Sequence, residues 1–258
     1  MPEGDTVYRT AVNLDAALAG SVLTRCDIRV PAFATVDLTG DIVEGVVSRG
    51  KHLLIRVSAH SIHSHLKMEG SWHVYRHGTK WRRPAWQARA ILATAHWLAV
   101  GFQLGTLDVV ARDDEESVVG YLGPDLLGPD WNADEALLRL TADPDRAVGL
   151  ALLDQRVMAG LGNVYRNELC YLSGALPTRP VGDIESPKKL VALAHRLIDA
   201  NKDRVERTTT GTLRGDTDWV YGRQGKPCLR CGTRIERGKL GESPLQLRDT
   251  YWCPQCQS

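Results

Sequence analysis

The chain predicts an α+β, multidomain fold: a β-rich N-terminal half flanked by a helix, a helical second half, and a small cysteine-held β-hairpin at the C-terminus. Three observations carry this prediction. Short β-like runs crowd residues 22–103, a spacing that favours an antiparallel sandwich or barrel. Beyond residue 133 the apolar positions recur at helical spacing. The last segment holds two C-x-x-C pairs, Cys228/Cys231 and Cys253/Cys256, with 21 residues between them.

Taken in order, Val7, Ala11, Leu14 and Leu18 recur every three or four residues and Gly20 follows. They predict an amphipathic helix from Asp5. Pro2 and Glu3 then stand at or just before its N-terminus, where the helix dipole is positive. Loss of Met1, which the small Pro2 permits, would leave a free secondary amine next to a carboxyl group. An α-amino group titrates at roughly 7.7–8.0. The pair can therefore act as nucleophile and proton donor. Pro and Glu are also ordinary first-turn residues of a helix, and on these positions alone that plainer reading stands first.

The predicted strands are Val22–Val30, Ile42–Val47, His52–Val57, Ser61–Leu66, Ser71–Tyr75, Ala88–Thr94 and Leu98–Gln103. Lys51 falls at a hairpin tip on a turn made permissive by Gly50. Tyr121–Asp130, rich in Gly, Pro and Asp, reads as the linker. Helices are predicted over Asp134–Leu140, Arg146–Val157, Asn163–Tyr171 and Lys188–Asn201, with a shorter piece near Lys202–Thr208. Between two of them, Gly160-Leu161-Gly162-Asn163 is a turn whose amides suit a phosphate, with Asn163 as helix cap.

Cys228, Cys231, Cys253 and Cys256 supply four thiolates, the donor set of a closed tetrahedral zinc site. Such a Zn2+ is structural. It supplies the folding energy that a module of about 30 residues lacks, and lets its hairpin tip present Arg248 rigidly. Cys26 and Cys170 read as small buried apolar residues, and the cysteine usage as a whole as that of a reducing, cytoplasmic compartment. No leader and no run of 18 apolar residues is present, so neither export nor membrane insertion is expected.

The formal net charge of +1 hides segregation. Residues 51–96 hold eight lysines and arginines against Glu69 alone, with seven of the eight histidines. Residues 108–146 hold eleven acids against three arginines. A polyanion would be drawn to the first stretch and repelled by the second; each is also readable as a solvated face. The histidines show no carboxylate-supported triad in their spacing and read as contacts to such a polyanion or as packing rather than as a metal site.

Together these motifs resemble the Fpg/Nei family of DNA glycosylases/AP lyases, closest to the endonuclease VIII branch of the actinobacterial Nei2 type. The resemblance spans nearly the whole chain. It rests on Met-Pro-Glu-Gly-Asp-Thr at 1–6, Ser-Arg-Gly-Lys-His-Leu at 48–53, His-Leu-Lys-Met-Glu-Gly at 65–70 and Leu-Gly-Pro-Asp at 122–125. The Gln155–Glu168 run, Val-Tyr-Gly-Arg at 220–223 and the terminal cysteines complete it. It implies an N-terminal β-sandwich domain over 1–120, a linker over 121–132, a helix–two-turn–helix DNA-binding domain over 133–220 and a zinc finger over 221–258, with damaged DNA in the cleft between them.

By the same resemblance, Pro2 attacks C1′ of a flipped-out damaged nucleotide and Glu3 protonates the sugar ring oxygen. Base loss leaves a Schiff base, and β- then δ-elimination cuts the strand. Lys51 assists at the neighbouring phosphate. Gly160, Gly162, Asn163 and Arg248 hold flanking phosphates, and Lys67 and Met68 fill the void left by the flipped base. The expected partner is double-stranded damaged DNA, with single strands left open; the protein is expected to be a bacterial, nucleoid-associated monomer with no membrane contact. Thr6 stands where many members carry a second acid, and Tyr121 where some carry a DNA-contacting arginine, so neither role is carried over. The short Gly211–Trp219 segment favours oxidised pyrimidines. The alternatives are an 8-oxoguanine enzyme and a zinc-dependent DNA-binding protein without chemistry.

Overall fold

The structure, a computed structural model, describes residues 2–258, so the state of Met1 lies outside the described residues. The chain divides into two compact units, Met1–Tyr121 and Leu122–Ser258.

The first unit starts with helix α1 (Gly4–Leu18), followed by strands β1 (Arg25–Ile28), β2 (Val43–Arg49), β3 (His52–Val57), β4 (His60–His65), β5 (Ser71–Arg76), β6 (Ala88–Ala93), β7 (Trp97–Phe102) and β8 (Thr106–Ala111), and ends with the short α2 (Glu116–Val119). The strands form two four-stranded antiparallel sheets, ordered β1-β6-β7-β5 and β2-β3-β4-β8. One core joins them: Leu53, Ile55 and Ile62 of the second sheet meet Ile28, Ala90 and Leu92 of the first. Val7, Leu14 and Leu18 of α1 pack into the same core. Each such side chain removed from water contributes about 1.5–3 kcal/mol. Asp15 in α1 also accepts the Val46 amide at 2.8 Å, which ties the helix to β2.

Side chains alternate across a strand. With Leu53, Ile55, Val57 and Ile62 in the core, His52, His63 and His65 share the opposite face of their sheet. There β3 and β4 pair His52 with His65 and Leu54 with His63.

Strand β8 was not expected; its Thr-Leu-Asp-Val-Val-Ala run is short and lies where the acidic stretch begins. Pairing with β4 stabilises it. The strand expected over Val22–Val30 is four residues long, since Val22 makes an isolated bridge to Ile42 instead. Cys26 is half-buried, whereas Cys170 is buried as expected.

The second unit contains α3 (Ala133–Thr141), α4 (Val148–Ala151), α5 (Asn163–Leu172), α6 (Pro187–Asp199) and the antiparallel hairpin β9 (Glu236–Leu240)/β10 (Arg248–Trp252). α5 is central: Tyr165 and Leu169 enter a core with Leu140, Leu152, Leu190 and Ile198. Asn132 caps α3, accepting from the amides of Asp134 and Glu135.

Two expectations fail here for local polar reasons. The helix expected over Arg146–Val157 is only α4. Asp154 is drawn to Arg146 at 2.9 Å, and the Gln155 amide bonds the carbonyls of Leu153 and Leu161, closing turns instead of helix. The helical piece near Lys202–Thr208 is absent because Asn201 closes a loop, its side chain bonded to both backbone groups of Thr208. Residues 122–126 of the expected linker are buried, with Asp125 bridged in parallel to Ala159. Among the described residues, no helix is long and apolar enough to cross a membrane.

Candidate active site and nucleic-acid interface

The N-terminal residues meet the start of α1 as the sequence predicts. Glu3 is the N-cap residue in extended conformation, and its carbonyl accepts the Val7 amide at 3.1 Å. Its carboxyl group makes no cap bond, yet it is fully buried, while Pro2 beside it is half-buried. A carboxyl at this end of a helix faces the positive pole of the backbone dipole. Asp5, two residues on, is also buried, and its carboxylate accepts the Thr6 amide at 2.7 Å. An imino terminus with a buried carboxyl next to it can pair nucleophilic attack with proton donation.

Lys51 sits at the β2–β3 turn, half-buried, next to Gly50 in left-handed conformation (φ 57°). Lys67 is also left-handed (φ 53°) and exposed, and its amide donates to His65 Nδ1 at 2.9 Å. Gly105 makes room for its stem: a Cβ there would lie 2.1 Å from Lys67 Cγ. Met68 at the loop tip is 60% exposed, and Arg83 braces the loop by bonding the Glu69 carbonyl and Gln103.

The sequence reading missed what surrounds Lys51. His63 Nδ1 lies 2.9 Å from the Asp108 carboxylate, His52 Nδ1 lies 2.7 Å from His63 Nε2, and His52 Nε2 lies 2.9 Å from the Tyr121 hydroxyl. The histidines do have a carboxylate support, contrary to expectation. It comes from β8, whose Asp108 pairs with His63 in register. Burial, then His65 and His63, then Lys67 and Lys51 hold the His52 imidazole down to about 3. Burial, Lys67 and Lys51 hold His65 down to about 4. Lys51 and Lys67 therefore bear on one cationic, neutral-imidazole surface. Cross-strand register is the signal that would have revealed it.

In the second unit Gly162, not Asn163, is the N-cap of α5. Asn163 is buried and donates to the Asp249 carbonyl at 2.9 Å, while its Oδ1 has no partner. Gly160 has φ 112°, but its amide donates to Gln155 Oε1 at 3.1 Å and is not available to a phosphate as expected.

α5 carries a buried polar row that the sequence reading also missed. Arg166 bonds the Asp249 carbonyl and the Thr250 hydroxyl, and Asn167 accepts the Tyr251 amide at 2.7 Å. Glu168 accepts from the Thr209 hydroxyl and from the amides of Trp219, Val220 and Tyr221. Burial pushes this carboxyl up, opposed by its four donors. This row fixes β10 and the 219–221 turn against α5. It thereby positions Arg248, the exposed first residue of β10, paired with Leu240.

The sulfurs of Cys228, Cys231, Cys253 and Cys256 all lie within 4.8 Å of one another, with 3.5 Å between Cys231 and Cys253 and 3.9 Å between Cys228 and Cys256. Four sulfurs at about 2.3 Å from a tetrahedral zinc stand about 3.8 Å apart. Disulfide sulfurs would stand at about 2.05 Å. The four cysteines can therefore bind a zinc ion. The Tyr171 hydroxyl (3.3 Å) and the Arg230 amide (3.4 Å) support Cys228 from outside the cluster.

Comparison with known proteins agrees with this geometry. Residues 1–107 match the formamidopyrimidine-DNA glycosylase N-terminal domain, and residues 122–214 match the formamidopyrimidine-DNA glycosylase H2TH domain. The chain is 54% identical to the DNA-(apurinic or apyrimidinic site) lyase Nei2 of Mycolicibacterium smegmatis, covering 100% of this chain and 99% of that one. It is 51% identical to endonuclease 8 2 of Mycobacterium tuberculosis, with both chains covered completely. Among solved structures, MutM bound to DNA containing carbocyclic 8-oxo-G superposes with a TM-score of 0.82 at 22% identity over 100% of both chains. The Lactococcus lactis Fpg complex with abasic-site DNA gives 0.82 at 22% identity over 99% of each chain. Full-length identity above 50% to the actinobacterial enzymes, together with both domain matches, establishes that the chain belongs to the family of formamidopyrimidine-DNA glycosylases and endonucleases 8.

Proposed function

We propose that the chain is a bifunctional DNA glycosylase/AP lyase of base excision repair that acts on damaged DNA, with oxidised pyrimidines preferred. The observation that carries the reading is the fully buried Glu3 carboxyl adjoining Pro2 at the start of α1. With Met1 removed, the Pro2 nitrogen attacks C1′ of an everted nucleotide while Glu3 delivers a proton to the ring oxygen. The ring opens, the base departs, and a Schiff base links Pro2 to the sugar. Loss of the C2′ proton expels the 3′ phosphate, and the following elimination expels the 5′ phosphate.

Lys51 in the first unit holds the phosphate beside the lesion; Asn163 and Arg248 in the second hold the flanking ones. Gly162 adds an N-cap close approach, and Lys67 and Met68 occupy the vacated stack. One zinc, held by Cys228, Cys231, Cys253 and Cys256, organises the finger and leaves no coordination position open for substrate. Residues 1–120, 133–220 and 221–258 are read as the catalytic, helical DNA-binding and finger modules. The chain's place of work on this reading is cytoplasmic, nucleoid-borne DNA.

Borohydride trapping on abasic DNA tests the chemistry. The wild type should leave a covalent adduct, and Pro2→Gly and Glu3→Gln should lose base excision while keeping fold and zinc. Base excision retained by Pro2→Gly would remove Pro2 as nucleophile. Excision of thymine glycol or 5-hydroxyuracil against 8-oxoguanine decides the lesion class, and faster release of 8-oxoguanine would overturn the pyrimidine preference.

A further inference from the structure

We propose that the groove between α1 and the outer edge of β5 docks an extended acidic segment of a partner protein, which pairs with β5 as an added strand.

Sheet order leaves this edge open. β5 ends the β1-β6-β7-β5 sheet and, among the described residues, pairs with β7 alone. In an antiparallel ladder alternate residues turn their N–H and C=O groups away from the neighbouring strand, so half of β5 directs its backbone bonds outward. An edge of this kind accepts a further strand unless the fold covers it. α1 engages the edge of β2, where Asp15 accepts the Val46 amide at 2.8 Å. Towards β5 it stands off instead, across a groove of about 680 Å³. Clefts of about 300–1,000 Å³ hold ligands.

The lining shows how a strand would lie there. Trp72 and Val74 reach the groove from the core-facing side of β5, His73 and Tyr75 from the opposite side. Side chains of both faces meet one groove only around the edge of a strand. α1 forms the other wall with Thr10, Leu14 and Ala17, which follow one another at three- and four-residue steps along one helix face. The six residues of β5 span about 20 Å, so a segment of similar length fills the site.

The charge of the groove selects the occupant. Arg76, Lys80 and Arg82 line it, all three exposed, and among the described residues no acid does. Arg76 lies over the Trp97 ring, 3.7 Å from its centroid, which fixes one cation in the groove wall. The same field reaches His73, whose imidazole burial and then Arg82 and Arg83 hold below its ordinary value. A basic strand is repelled here and an acidic one attracted. Nucleic acid would meet the same cations, but it has no alternating N–H and C=O groups to continue the sheet. The groove also runs about 10 to 20 Å along α1 from Glu3, away from the candidate catalytic pair.

The test uses the full zinc-loaded chain and a fluorescein-labelled peptide of alternating glutamate and valine, about seven residues long, in anisotropy titrations at low salt. The wild type should bind it saturably, and the double substitution Lys80→Glu with Arg82→Glu should weaken binding at least about tenfold. Both residues are exposed, and an unchanged urea midpoint checks that the variant is folded. The same peptide with lysine for glutamate should not bind. Methylating the peptide amides at odd or at even positions keeps the charge and removes the ladder bonds of one register, so one of the two should bind at least about tenfold more weakly. On binding, the outward amides of residues 72–76 should exchange more slowly with solvent. No binding by the wild type, equal affinity for the parent and both methylated peptides, or unchanged exchange in β5 overturns the inference. So does displacement of the peptide by single-stranded DNA or by a duplex carrying a tetrahydrofuran abasic analogue, which would assign the groove to nucleic acid.

Discussion

Replacing Glu168 by alanine should destabilise the second unit by about 3–5 kcal/mol. The carboxyl is fully buried and accepts four hydrogen bonds: from the Thr209 hydroxyl and from the amides of Trp219 (2.7 Å), Val220 (2.9 Å) and Tyr221 (2.9 Å). Alanine leaves these donors facing a void with no acceptor. An orphaned buried donor costs about 1–3 kcal/mol, and three amides together approach the upper range of single substitutions once partial solvation is allowed. Glutamine should cost less, about 1–2 kcal/mol. Its oxygen can serve Val220 and Tyr221, which share Oε1, and its NH2 can donate to Thr209, so only the Trp219 amide confronts another donor. Urea unfolding followed by tryptophan fluorescence checks both variants, Trp219 being stacked on Tyr171 at 5.4 Å. If the alanine variant loses less than about 1 kcal/mol, or if glutamine costs as much as alanine, the 219–221 turn is not held by this carboxylate and the reasoning fails.

Two further outcomes are expected. Burial alone would raise the Glu115 carboxyl, but bonds from Arg56 (2.9 and 3.0 Å) and Ser61 and the charges of Arg56 and Arg112 hold it below its ordinary 4.5. Its contribution is present above that value and lost as pH falls through the lower folded value. His52 and His65, held to about 3 and about 4, add to the acid loss below 6.5, because the unfolded imidazoles bind protons first. Stability of the first unit should therefore decline from pH 6.5 downward, with a shallower limb below 4.5 in Glu115→Gln. An unchanged acid limb in that variant would refute the assignment. Chelation should release one zinc per chain, abolish binding to abasic-analogue DNA and loosen the small core of Tyr171, Val220, Cys228, Ile235 and Cys253. Full DNA affinity in the zinc-free chain would contradict a finger-mediated grip.

The local patterns that the sequence displays were enough for the helix at the N-terminus, most strands of the first unit, the Lys51 hairpin tip and the four-cysteine cluster. Each depends on a short-range period or spacing: Val7, Ala11, Leu14 and Leu18 mark one face of one helix, and a C-x-x-C pair brings two sulfurs together within a single turn. Where polar side chains competed with backbone bonding, as with Gln155 and Asn201, periodicity overstated the helices.

The array from Asp108 to Tyr121 and the buried row on α5 belong to the tertiary structure. Asp108 is 45 residues from His63, and Asp249, the backbone partner of Asn163, is 86 residues away. Strand register and helix packing alone bring such groups within 3 Å. Chain composition reveals that these residues are polar; only the fold decides that His52, His63 and the α5 row are buried, and burial is what makes each missing partner costly.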